Sequence, residues 1–133
     1  MFLLDSNVVS ELRKPRPNSR VISWLDKMDN HSLFVSAVTI GEIQAGIDVT
    51  RGQDADKAYE LESWLEQLAA THSVLPMNTR CFRRWAKLMR RQSNTLYEDA
   101  MIAATALEHR LTVVTRNTRA FAPFDLPVLD PFT

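Results

Sequence analysis

Phe2-Leu3-Leu4-Asp5-Ser6-Asn7 decides how the rest of the chain is read. Three apolar residues run into a carboxylate, a hydroxyl and an amide. A short apolar run closed by turn-forming residues predicts a buried strand. Val8 to Leu12 resume an apolar pattern, so a helix is expected over Val8–Arg13, capped by Ser6 or Asn7 and stopped by Pro15 and Pro17. Asp5 then stands where a strand hands over to a helix. In open α/β sheets that carboxyl edge is where ligands bind.

Working outward, the same alternation recurs. Ser19 is expected to cap a helix carrying Val21, Ile22, Trp24, Leu25 and Met28, and Asn30 to Ser32 make a turn. Leu33–Ser36 reads as a strand. Thr39–Gly46 reads as a helix with Gly46 near its stop, followed by a polar, flexible Thr50–Gln53. Asp54–Leu68 is amphipathic, with Ala58, Leu61, Trp64, Leu65 and Leu68 on one face. Ser73–Leu75 is a strand, Thr79–Met89 an arginine-rich helix and Ser93–Tyr97 a loop. Glu98–His109 is a helix apolar nearly all round, which predicts a covered, central position. Thr112–Thr115 is a fourth strand, and Val128–Leu129 in the proline-broken tail a fifth. Strands alternating with helices predict an α/β domain with a parallel sheet covered on both faces.

Composition narrows the class. The 133 residues, with 45% hydrophobic, suffice for one core and one domain. Sixteen basic residues balance sixteen acidic ones, so any basic surface is local. One cysteine, Cys81, excludes an intrachain disulfide framework and suits a reducing cytoplasm. No apolar run is long enough to span a bilayer, and no secretory signal, repeat or low-complexity tract is visible.

If all strands point the same way, the polar residues after them gather at one edge. These are Asp5, Ser6 and Asn7 after the first strand, Ser36, Thr39 and Glu42 after the second, and Thr115, Arg116 and Asn117 after the fourth. Asp99 opens the helix leading into the fourth strand. Two carboxylates about 5 Å apart repel by roughly 3 kcal/mol at an effective dielectric of 20. A raised pKa or a bound cation relieves this. Oxygen donors without His or Cys favour Mg²⁺, with Mn²⁺ as a substitute, over zinc. The chemistry expected is metal-assisted phosphodiester cleavage. His31, His72 and His109 lack metal-ligand spacing, and Cys81 carries no sign of activation. The arginines of Thr79–Arg91 read either as a solvated face or as contacts to an RNA backbone.

Four motifs in order resemble one family. The segments 1–12, 35–43, 98–106 and 114–121 are similar to the acidic motifs of PIN-domain proteins, particularly VapC toxins and the FitB-like subgroup, and 128–132 resembles their C-terminal ending. The resemblance covers essentially the whole chain. It implies a three-layer PIN fold with four to five parallel strands. It also implies a Mg²⁺-dependent endoribonuclease, the toxin of a type II toxin–antitoxin pair. Asp5, Glu42 and Asp99 match the positions that hold the ion and its attacking water, and Ser6 and Thr115 the accompanying hydroxyls. The expected partners are RNA, a small antitoxin lying in the active-site groove, DNA reached only through that antitoxin, and a second copy of the chain. The fourth motif departs from the pattern: Asn117 and Ala120 stand where an Asp is frequent, which bears on a second metal more than on the first. Arg13, Arg80 and Arg116 are candidate phosphate contacts. Two rival readings are a non-catalytic binding module and an Asp5 phosphoenzyme. The second is disfavoured because Asn7 stands where a second Asp is usual.

Overall fold

The computed structural model describes residues 1–133. Five strands, β1 (Phe2–Leu4), β2 (Leu33–Ser36), β3 (Ser73–Leu75), β4 (Thr112–Val114) and β5 (Val128–Leu129), form one parallel sheet in the order β3-β2-β1-β4-β5. Seven α-helices flank it: α1 (Ser6–Val9), α2 (Ser19–Asp26), α3 (Ala37–Arg51), α4 (Ala55–Thr71), α5 (Thr79–Met89), α6 (Tyr97–His109) and α7 (Thr118–Phe121). This is the expected PIN-like α/β architecture.

Strand periodicity sorts the core into two layers. Leu4, Val35 and Val114 face a cluster with Val8, Val21, Ile47, Ala58, Leu65 and Leu68, from α1 to α4. Leu3 and Val113 point the other way, into a cluster with Ala100, Ile102, Ala103, Ala106 and Phe121. The alanines of α6 are fully buried, and small side chains there let that helix close against the sheet. α3 packs on α4, and α5 packs on α6.

The strand order sets up the site. The chain leaves β1 toward β2 and β3, then returns to the other side of β1 for β4 and β5. The crevice outside the carboxyl ends of β1 and β4 is therefore the topological switch point. Asp5 and Thr115 are the residues that follow those two ends.

Several local expectations change. Asp5, not Ser6 or Asn7, caps α1, its Oδ1 accepting the Ser6 N–H. The helix expected over Val8–Arg13 starts earlier, and its second half tightens into a 3₁₀ turn over Ser10–Arg13. α2 is capped by Asn18, whose Oδ1 takes the N–H groups of Arg20 and Val21, rather than by Ser19. α3 runs through Gly46 to Arg51 and absorbs part of the stretch read as flexible. A mid-helix glycine costs about 1 kcal/mol; burial of Ile47 and packing on α4 outweigh it. The tail is partly helical, with α7 and a 3₁₀ turn over Ala122–Phe124. No helix is long and apolar enough to cross a membrane.

Candidate active site

Asp5 anchors the site. It is 5% exposed, and each carboxylate oxygen is held separately. Oδ1 accepts from the Ser6 N–H at 2.8 Å, while Oδ2 accepts from the Thr115 hydroxyl at 2.8 Å and the Asn7 amide at 3.4 Å. The Asp5 N–H donates to the Val114 carbonyl at 2.9 Å, tying the loop after β1 to the end of β4.

The Thr115 hydroxyl is used to capacity. Besides donating to Asp5, it accepts from Asn7 Nδ2 at 3.0 Å and from the Asn117 N–H at 3.0 Å. Asn7 Oδ1 in turn accepts from the Arg116 N–H at 3.1 Å. A buried carboxylate is thus fixed by a network spanning the switch point, which pre-orients its oxygens.

The other acids arrive from two helices. Ser36 caps α3 through the Val38 N–H, and Glu42 follows within the second turn of that helix. Asp99 lies in the first turn of α6, with Glu98 beside it. Burial holds the Asp5 carboxyl above its ordinary range even though Thr115 and Ser6 pull it down. The Glu42 carboxyl is pushed up to about 7 by desolvation, then by the charges of Asp5, Glu98 and Asp99. Desolvation, followed by Asp5 and Glu98, pushes Asp99 up to about 6. Charges that act on Glu42 and Asp99 in this way lie close to them.

The structure therefore brings Asp5, Glu42 and Asp99 together and adds Glu98, which sequence reasoning passed over as the neighbour of Asp99. Asn7, expected only among the polar residues gathering at this edge, joins the network as a partner of both Asp5 and Thr115. Ser6 lines a groove of about 360 Å³ with Ser10, Arg13 and Glu42, which continues over Ile43, Ile47, Leu61 and Trp64. Arg13 thus shares a groove with Glu42. Arg116 flanks the site through its backbone, while its guanidinium sits 3.9 Å from the centre of the Phe132 ring, a cation–π contact. Asn117 is exposed, holds Thr115 through its N–H, and makes no side-chain cap.

Arg80 is placed elsewhere. Its charge acts on Glu108, near the far end of α6. Nine residues of helix separate Glu108 from Asp99, roughly 13 Å. α5 packs on α6 so that the first turn of α5, with Arg80, meets the last turn of α6, which a sequence pattern cannot disclose.

No three His, Cys, Asp or Glu side chains form a ready-made metal cage. A hard divalent ion does not need one, since Mg²⁺ keeps several waters and takes one or two carboxylates directly. The donor set is all oxygen, and its charges repel in the absence of a cation. The Thr39 hydroxyl, one helical turn before Glu42, is buried without a partner. Such a group costs about 1–3 kcal/mol unless water or an ion ligand satisfies it. These residues fit a hydrated hard cation.

The chain is similar to known proteins over its whole length. The PIN domain family profile matches residues 2–125. Toxin FitB of Neisseria gonorrhoeae is 35% identical, with 99% of each chain covered. The VapC ribonuclease Y4jK of Sinorhizobium fredii is 33% identical over 99% of this chain and 98% of its own. The crystal structure of FitAcB from Neisseria gonorrhoeae superimposes with a TM-score of 0.87 at 34% identity, covering 99% of both chains. The structure of FitAB bound to an IR36 DNA fragment gives 0.83 at 31% identity, over 100% of this chain and 96% of that one. With acids meeting at the switch point of a five-stranded parallel sheet and the profile matching nearly end to end, the chain belongs to the PIN domain family.

Proposed function

We propose that this chain, as a single PIN domain, is a Mg²⁺-dependent endoribonuclease and the toxin of a toxin–antitoxin pair. The observation that carries the reading is the nearness of Asp5, Glu42 and Asp99, with Glu98, where the charges of Asp5 and its neighbours push the Glu42 and Asp99 carboxyls up. Relatives named as a toxin and as a ribonuclease support it.

Asp5 and Asp99 would hold the ion, with Asp5 aimed by Ser6, Asn7 and Thr115. The bound ion supplies charge neutralisation at the phosphate and acidifies a water. Glu42 would accept a hydrogen bond from the attacking water and so orient it. Arg13 binds a flanking phosphate from the groove wall. The hydrophobic continuation of this groove over Ile43, Ile47, Leu61 and Trp64 suits a short antitoxin segment that blocks access to the acids. A homodimer, and contact with DNA through the antitoxin alone, complete the proposal.

The test is cleavage of labelled RNA by antitoxin-free protein. Activity should need Mg²⁺ or Mn²⁺ and vanish with EDTA or with Asp5→Asn. Cleavage surviving both would falsify the mechanism.

A further inference from the structure

The ending Asp130-Pro131-Phe132 returns to the edge of the sheet that carries Asp5 and Thr115. β5 runs parallel to β4, and the Thr115 N–H donates to the Leu129 carbonyl at 2.9 Å, so the chain leaves both strands side by side. Asp130 then turns the backbone, its Oδ1 accepting the Phe132 N–H at 2.8 Å. Pro131 is buried, and Phe132 packs on the core cluster that contains Leu4, Val35 and Val114. The ring is thus fixed by the turn behind it and by the core beneath it.

Its outer face holds Arg116. The guanidinium stands 3.9 Å from the ring centre. The Arg116 backbone is meanwhile tied to the acids. Its N–H donates to Asn7 Oδ1 at 3.1 Å, and Nδ2 of the same amide donates to Asp5 at 3.4 Å. One asparagine amide spans that gap, which an arginine side chain is long enough to cross. Arg116 nevertheless pairs with no carboxylate, and none of Asp5, Glu42, Glu98 and Asp99 has an ion-pair partner.

Two pulls act on this guanidinium. An exposed ion pair and a cation–π contact are of similar strength, so a ring can decide between them. Arg116 is exposed, which puts it in that regime. The outcome matters for the acids. A guanidinium lying across Asp5 or Glu42 would occupy their oxygens through paired N–H bonds and supply the positive charge that a divalent ion brings. The two cations would compete for one set of lone pairs.

We propose that Phe132 is a positioning residue for the acid cluster: by stacking on Arg116 it holds that cation off the carboxylates and leaves their oxygens to a metal ion. Asp130 serves the same end as the turn that aims the ring. The inference rests on the cation site of the nuclease reading, and not on RNA or its cleavage.

Calorimetric titration of Mg²⁺ into the metal-free protein tests this without any turnover. Phe132→Leu keeps an apolar side chain on the core and removes the ring. It should weaken Mg²⁺ binding about two- to thirtyfold, the factor set by one cation–π contact. Phe132→Tyr, which keeps the ring face, should bind like wild type. Arg116→Gln added to Phe132→Leu should restore wild-type affinity, because the competing charge is gone. If the tail were merely structural, the loss would persist in the double variant, and that result overturns the proposal. So does wild-type affinity in Phe132→Leu. If Phe132→Leu fails to fold by circular dichroism, NMR of the wild-type protein in EDTA replaces it: the ring should hold the Arg116 side-chain protons upfield, and unshifted resonances overturn the proposal. A wild-type protein that binds no Mg²⁺ removes the cation site of the nuclease reading and this inference with it, whereas binding indifferent to Phe132 removes this inference alone.

Discussion

Replacing Thr115 by Val tests the network that aims Asp5. The two side chains are nearly isosteric, and Thr115 is fully buried, so packing is kept while the hydroxyl is removed. One lost contact is the 2.8 Å bond to the Asp5 carboxylate; hydrogen bonds to charged groups contribute about 1.5–3 kcal/mol. Two more are the bonds accepted from Asn7 and from the Asn117 N–H, each worth about 0.5–1 kcal/mol where water reaches the donor. The added methyl returns about 0.8 kcal/mol of apolar burial. The net cost is about 2–4 kcal/mol. For a chain of this length that lowers Tm by about 6–16 °C. Asp5 also loses a contact that lowers its pKa, so its carboxyl should rise further. Thermal denaturation followed by circular dichroism at pH 7, in EDTA, measures the first effect. A Tm within about 2 °C of wild type would refute the reasoning, because no plausible offset cancels three hydrogen bonds.

Two further outcomes follow from the same geometry. Asn18→Ala should cost about 1 kcal/mol as the loss of a helix cap, whereas Ser19→Ala should stay within about 0.5 kcal/mol; the reverse order would restore Ser19 as the cap. The folded pKa values of Glu42, about 7, and Asp99, about 6, lie above their unfolded ones, so the folded state binds more protons across that window. Metal-free stability from these groups is therefore full below about pH 4 and lost as pH rises through about 6 to 7. In EDTA, Tm should fall across this range, with a shallower slope in Glu42→Gln; a slope unchanged by that substitution would count against the repulsion.

The strands were readable because each is a short apolar run bounded by turn formers, and β2, β3 and β5 match their expected bounds. The nearness of the three acids was legible for a related reason: a parallel sheet sends the residue after β1 to one edge, and helices that run back against the strands, as α3 and α6 do, begin at that edge. Helix ends were less legible. Asp5 and Asn18 each sit one residue before the expected cap, and either neighbour carries a side-chain oxygen able to do the same work. Gly46 looked like a stop because local propensity says so, but the α3–α4 packing that overrides it is a tertiary fact. Glu98 and Arg80 show the same limit. Which face of α6 meets which end of α5 depends on packing, and that packing puts Glu98 among the acids and Arg80 beside Glu108.

Calorimetric titration of Mg²⁺ into the metal-free protein at pH 6.5, in buffers of different ionisation enthalpy, addresses the acid cluster most directly. At that pH a carboxyl titrating at about 7 and one at about 6 together hold about one proton, which an incoming cation must displace. Saturable binding with release of about one proton, fading by pH 9 and lost in Asp5→Asn/Asp99→Asn, is the expected result. Absence of binding, or binding with no proton released and indifferent to both substitutions, would contradict a pocket whose charges a divalent ion neutralises.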